Sequence, residues 1–255
     1  MKLFTILITL LSTSLALAGD NYKPLNMRVE LTDSNISIVS YNVENLFDTK
    51  HDAGKEDWEF LPLKLASGAP NKAKIEACKR MSQDWQRKQC LEVDWTSERL
   101  QIKLEKISEA LNLQGDLPDV LALIEVENAN VLSMLADKLG YSTKNMYITT
   151  GNDARGINVA ILYKNRMLDY HSHAEKAVVS ATGQAMTTRN VLVVNFKVKS
   201  TNQTLGVFVN HWPSQGNVVK NRIAAAETLN ALIDSQTKKM GANYHVVAVG
   251  DFNTT

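Results

Sequence analysis

The sequence predicts an α/β protein in which buried strands alternate with covering helices and the sheets are not purely parallel. Three observations carry this. Short apolar runs rich in aliphatic residues recur, as in 120–124 (VLALI) and 246–249 (VVAV), the pattern of strands covered on both faces. Between such runs, apolar residues fall at helical spacing: Leu100, Leu104, Ile107 and Leu111, then Leu132, Leu135, Ala136 and Leu139. Finally, strand-like segments 191–198 and 205–210 are separated by the turn-rich Ser200-Thr201-Asn202, a hairpin signal that requires antiparallel neighbours.

Taken in order, residues 1–18 read as a secretory leader. Lys2 supplies the charge, Leu3 to Leu17 the apolar region, and Ala16-Leu17-Ala18 the small-residue cleavage form. A membrane anchor is the alternative, but the stretch is short and contains Thr5, Thr9, Ser12, Thr13 and Ser14, so cleavage near Ala18 and a periplasmic or extracellular destination are expected. Residues 19–35 form a polar lead-in, and one domain is expected over 36–255. ISIVSY, 36–41, alternates and reads as its first strand. An insertion at about 50–95 shows no sustained period and is expected to be a long loop with one short helix. Thr96-Ser97-Glu98 then opens a helix, and Asn128 and Gly140 bracket the next. Strands follow at 147–149, 159–163, 191–198 and 205–210. Ala225, Leu229, Leu232 and Ile233 mark a last helix before the final strand.

Composition narrows the class. The chain has 255 residues, 44% of them hydrophobic, and a formal net charge of +1. Loss of the leader removes Lys2 and takes that balance to zero, so bulk charge gives no support for nucleic-acid binding. One local exception exists: Lys64, Lys72, Lys74, Lys79, Arg80, Arg87 and Lys88 face only Glu76 and Asp84, with Trp85 among them. That segment is either a solvated basic loop or a phosphate-contacting surface. Cys78 and Cys90 lie within it. In an exported chain they are expected to form a disulfide, since a zinc site needs about four ligands and no CxxC or HxxxH is present.

Several strands end in groups of use to a metal or a phosphate: Asn42, Glu125, His211, and the pair Asp251 and Asn253 in VAVGDFN. The carboxyl edge of strands is where α/β sheets present ligands and catalytic side chains. Each residue has an ordinary alternative as a turn cap, a solvated acid (Glu125 and Glu127) or a hydrogen-bonded histidine. Together their oxygens suit a hard cation, Mg²⁺ or else Mn²⁺ or Ca²⁺, bound to a phosphoester.

The ordered blocks SYNVENLFD, LALIEVEN, RGINVAILY, VNHWPS and VAVGDFN resemble the endonuclease/exonuclease/phosphatase superfamily, over about residues 36 to 253. The resemblance implies a four-layered α/β sandwich, two mixed sheets face to face with helices outside, and metal-dependent phosphoester hydrolysis. It further implies that Glu125, assisted by Asn42, holds the metal, and that Asp251 orients or deprotonates the attacking water. Asn253 and His211 would hold the phosphate, with Arg155 and Arg189 as further phosphate contacts or ordinary surface arginines. Family members normally continue to a Ser-Asp-His motif, which does not occur before Thr255; a C-terminally incomplete domain is therefore expected. The VENLFD and NHWPS blocks resemble bacterial extracellular nucleases, which makes DNA, or else RNA, the expected substrate. Inositol phosphates, phospholipid head groups and a non-catalytic phosphate-binding role are the rivals.

Overall fold

The computed structural model of the protein describes residues 6–11, 35–113 and 115–254. Two sheets face one another. The first has the order β1 (Ile6–Leu11), β2 (Ile36–Leu46), β3 (Val120–Val126), β5 (Asn158–Tyr163), β4 (Met146–Ile148). The second runs β6 (Leu168–Lys176), β7 (Val191–Val198), β8 (Thr204–His211), β9 (Tyr244–Asp251). Both are mixed: β2 and β3 pair in parallel and β3 and β5 antiparallel, while β7 and β8 form the expected hairpin and β8 and β9 pair in parallel. Of the expected leader, only 6–11 is described, as a strand parallel to β2; the rest lies outside the described residues, as does most of the lead-in.

The alternation of side chains along each strand builds the layers. Ile36 and Ile38 of β2, Val120 and Ala122 of β3, Leu205, Val207 and Val209 of β8, and Val247 and Val249 of β9 meet in the core between the sheets. The opposite row of β3, Leu121 and Leu123, packs on α3 (Ser97–Asn112) and α4 (Ala129–Leu139) through the predicted stripe of Leu100, Leu104, Ile107 and Leu111. On the far side, Val191, Val193 and Phe208 pack on Leu229 and Leu232 of α5 (Val219–Met240). Helices, sheet, sheet and helix make four layers. The helix ends also match their signals. The Thr96 hydroxyl accepts from the Arg99 N–H, the Asn128 side chain from Val131 N–H, and Gly140 closes α4 in the left-handed region.

Two features differ from expectation. Strand β6 has no counterpart in the sequence reading, because an edge strand reading LDYHSHAEK is largely exposed and offers almost no apolar row. The insertion, expected as a loop with one helix, holds a 3₁₀ turn (Trp58–Phe60) and two helices, α1 (Lys72–Lys79) and α2 (Asp84–Glu92). Their order comes from crosslinks that periodicity does not show. Cys78 and Cys90 are disulfide-bonded with Cα atoms 5.6 Å apart. Lys74, fully buried, donates to the carbonyls of Glu59, Leu61 and Val93 at 3.0, 2.6 and 2.5 Å. Phe60 stacks on Phe47 with centroids 4.0 Å apart and seats the unit on the domain. The basic surface shrinks accordingly: Lys74 points inward, and Lys79, Arg87 and Lys88 pair with Glu76, Asp84 and Glu92.

Lys74 thus does for three carbonyls what a helix or strand would do elsewhere. Burial pulls its pKa down to about 8, opposed by Asp94 and Glu59. Replacing Lys74→Met removes the ammonium from all three carbonyls and leaves Leu61 with the Trp95 N–H, at about 1–3 kcal/mol for each acceptor left unpaired. The expected result is a urea-unfolding midpoint well below that of the parent; a midpoint within error of the parent would show that the ammonium does not hold the insertion.

Candidate active site

The polar site continues the inter-sheet core. Beyond Ile36 and Ile38 the inward row of β2 reaches Asn42; beyond Val207 and Val209 that of β8 reaches His211; beyond Val247 and Val249 that of β9 reaches Asp251. Parallel pairing of β8 with β9 sets His211 beside Asp251 in register. Gly250 makes this approach possible, with φ +129° and its Cα packed so closely on the Asn210 backbone that a Cβ would collide with the carbonyl.

Glu125 reaches the same place by a different route. Alternation along Leu121 and Leu123 would send residue 125 outward, toward the helices. Instead Glu125 takes φ +69°, the pairing of β3 slips between Ile124 and Val126 on both sides, and Val126 joins the outer core in its stead. A left-handed non-glycine residue reverses the side-chain rows. The outcome is a contact across the sandwich: the Asn42 amide nitrogen lies 3.3 Å from Glu125 Oε1 and 3.4 Å from Asp251 Oδ2. Asn42 Oδ1 accepts from the Glu44 N–H at 2.8 Å, which turns the amide so that its NH₂ faces both acids.

His211 Nε2 lies 3.6 Å from Glu125 Oε1. Its pKa is pushed well below the usual imidazole range by burial, then by Arg189 and Arg155, so the ring is neutral near pH 7. Nδ1 is buried without a partner among the described residues. A bare lone pair is tolerated there more readily than an unpaired N–H, which favours the proton on Nε2, facing Glu125. Asn253, with φ +48°, donates its N–H to Asp251 Oδ1 at 2.9 Å and its side-chain NH₂ to the Trp212 carbonyl at 2.9 Å.

The two arginines differ. Arg189 is largely buried and committed to the scaffold, reaching the Trp212 carbonyl at 2.7 Å and Asp153 Oδ2 at 3.5 Å. Arg155 is half exposed, 3.5 Å from Asn45 Oδ1 and 4.0 Å from Asp153. Asp153, which orders both, was not among the expected residues. Its only sequence signal is its place in the GNDARGIN turn before β5. Lys103 is a second addition: from α3 it donates to the Glu44 carbonyl at 2.8 Å, beside Glu44 and Glu125, with its pKa lowered by burial. On a helix its position reads only as a polar surface site.

Glu127, weighed as a solvated acid, is buried and accepts the Asp48 N–H at 2.7 Å. Burial, with the carboxylates of Asp48, Asp52 and Asp57, raises its pKa to about 8. Among the described residues, no group of three His, Cys, Asp or Glu side chains has the spacing to hold a metal ion alone. The oxygens that do meet, two carboxylates around one amide, fit a hard cation that takes one or two protein carboxylates and completes its shell with water and substrate.

A two-sheet sandwich with acids, amides and an imidazole at one rim is the class that this fold and site define. The chain belongs to the Endonuclease/Exonuclease/phosphatase family, whose model matches residues 81–255. No protein with a curated description matches it. Solved structures that it is similar to include the human Nocturnin catalytic domain with bound sulfate (19% identity, TM-score 0.48, covering 58% of this chain and 55% of that one). A mannosyl-6-phosphatase of Bacteroides thetaiotaomicron is another, at 19% identity and TM-score 0.47, with 59% and 56% covered. ANGEL2, a 2′,3′-cyclic phosphatase, is a third, at 19% identity and TM-score 0.47, with 59% and 42% covered. The chain thus spans about half the length of these structures or less.

Glu127 gives a testable pH dependence. Its folded-state pKa of about 8 lies above the ordinary 4.5, so the folded chain binds the proton more tightly. That contribution to stability is complete below the ordinary value and is lost as pH rises through about 8. Glu127→Gln, which keeps an acceptor for Asp48 N–H, should flatten the fall in stability over this window. Urea titrations at several pH values check this; parallel curves for parent and variant would exclude Glu127 as the source.

Proposed function

We propose that the protein is an exported, divalent-cation-dependent phosphodiester hydrolase acting on nucleic acid, with DNA preferred over RNA. The observation that carries this reading is the meeting of Glu125 and Asp251 on the Asn42 amide, with the His211 imidazole alongside. Glu125 would hold the cation, assisted by Asn42 once its amide turns from the Glu44 N–H to present Oδ1, and the bound cation would neutralise charge on the non-bridging phosphate oxygens. Asp251, with Oδ1 fixed by the Asn253 N–H, orients the attacking water and takes its proton as the new O–P bond forms; the P–O bond to the leaving oxygen breaks in line, and the departing alkoxide takes a proton from solvent. His211, neutral and carrying its proton on Nε2, donates to a phosphate oxygen whose charge grows in the pentavalent transition state. Asn253 adds a second donor, and Arg155 offers its half-exposed guanidinium to a neighbouring phosphate. Arg189 acts in this scheme by holding the Trp212 backbone and by adding to the burial that keeps His211 neutral.

Family membership supports hydrolytic phosphoester chemistry in general. Support for export comes from the leader-like segment and from the Cys78–Cys90 disulfide, a bond suited to an oxidising compartment. No helix among the described residues is long and apolar enough to cross a membrane.

The test is turnover with Mg²⁺ on plasmid DNA, RNA, sphingomyelin and inositol phosphates. DNA cleavage is expected, abolished by a chelator and restored by added Mg²⁺; turnover confined to the non-nucleic substrates would refute the nuclease reading. Asp251→Asn should lower kcat by about 100- to 10,000-fold and His211→Ala by about 100- to 1,000-fold. Unfolding midpoints measured alongside separate lost chemistry from lost structure, and undiminished turnover would remove that residue from the mechanism.

A further inference from the structure

The insertion forms a half-open cavity that the hydrolytic scheme leaves unused. It measures about 450 Å³ and is lined by His51, Lys55, Glu56, Trp58, Arg80 and Met81 among others, a volume in the range of ligand pockets. Its walls are fixed. The rings of His51 and Trp58 stack with centroids 3.8 Å apart. His51 Nδ1 sits 2.5 Å from Oδ1 of Asp57, a buried acid whose Oδ2 accepts the Asp52 N–H at 2.7 Å. Arg80, also in the lining, caps α1 two residues from the disulfide at Cys78. Where Lys79, Arg87 and Lys88 are paired with neighbouring acids, Arg80 is exposed at the cavity.

The same cavity is bonded to the rim of the active site. Lys55, in its wall, donates to the carbonyls of Gly151 and Asp153 at 3.3 and 3.1 Å, and Glu56 N–H donates to the Ala154 carbonyl at 2.8 Å. That loop carries Arg155 and Asp153. A polymer with its scissile phosphate at Glu125 and Asp251 and a neighbouring phosphate on Arg155 would pass the loop that Lys55 and Glu56 of the cavity wall hold.

A π surface, a guanidinium and a path to the scissile bond are the components of single-strand recognition, in which bases stack on rings and cations track the backbone. We propose that this cavity is a subsite for one nucleotide of single-stranded nucleic acid flanking the scissile phosphate. The base lies against the His51–Trp58 pair, the phosphate meets Arg80, and Glu56 accepts from a sugar hydroxyl or base amine. This rests on the phosphodiesterase reading above and extends it to an unpaired strand or strand end.

The experiment uses full-length protein. Affinity for a fluorescein-labelled single-stranded oligonucleotide is measured by anisotropy in the Asp251→Asn background, and kcat on bis(p-nitrophenyl) phosphate, too small to span both places, in the parent background. Arg80→Gln and Trp58→Leu should each weaken oligonucleotide binding about tenfold. Arg80→Gln should also lower the slope of log affinity against log salt by about 0.7, the value of one phosphate contact. Neither substitution should change kcat on the small diester. Unaltered affinity and salt slope in Arg80→Gln, an exposed position where folding is not at stake, overturn the subsite while small-diester turnover leaves the hydrolase reading intact. Weakened binding of duplex but not of single strand overturns it too. A parent chain that neither binds the oligonucleotide nor cleaves the small diester sinks both readings.

Discussion

One amide group holds this molecule's chemistry together. Asn42 reaches an acid of its own sheet, Glu125, and an acid of the facing sheet, Asp251, through a single nitrogen. Two carboxylates brought so close repel each other unless a donor or cation lies between them. The sandwich supplies the donor from a third strand. For this to work, both sheets must end at the same rim and in phase. That follows from the parallel pairs β2–β3 and β8–β9 and from a core whose alternating aliphatic rows fix each strand's face.

The site is therefore an extension of the core. The side-chain rows that carry Val and Ile between the sheets carry Asn, His and Asp one step further, where the layers open. His211 shows the physical result: buried and near two guanidinium groups, it is held neutral and serves as a directed dipole. Around it, the carbonyl of Trp212 collects Arg189 and Asn253, so the segment after β8 is tied to the segment after β9.

Much of this was legible beforehand where one rule dominated. The helical stripes, the buried runs and the hairpin each follow from periodicity or turn residues. The meeting of Asn42, Glu125, His211 and Asp251 could be anticipated from strand ends because parallel strands share a carboxyl edge. Illegible parts are those where tertiary partners overrule local pattern. Strand β6 is polar because it is an edge. Helices α1 and α2 carry no apolar stripe because a disulfide and a buried lysine organise them. Lys103 and Asp153 matter through backbone carbonyls and paired arginines, contacts that leave no periodic trace. Glu127 looked solvated by composition and is buried, with three other acids near enough to raise its pKa further.

The left-handed backbone at Glu125 has a bearing on how that position is to be read by substitution. A side chain that cannot adopt a positive φ would straighten the strand and send residue 125 and its successor to opposite layers, exchanging a carboxylate for an aliphatic group at the rim. Loss of function in a valine or isoleucine replacement would then report a topological slip. Asparagine and aspartate, which tolerate the conformation, isolate the carboxylate's reach and charge from the path of the chain.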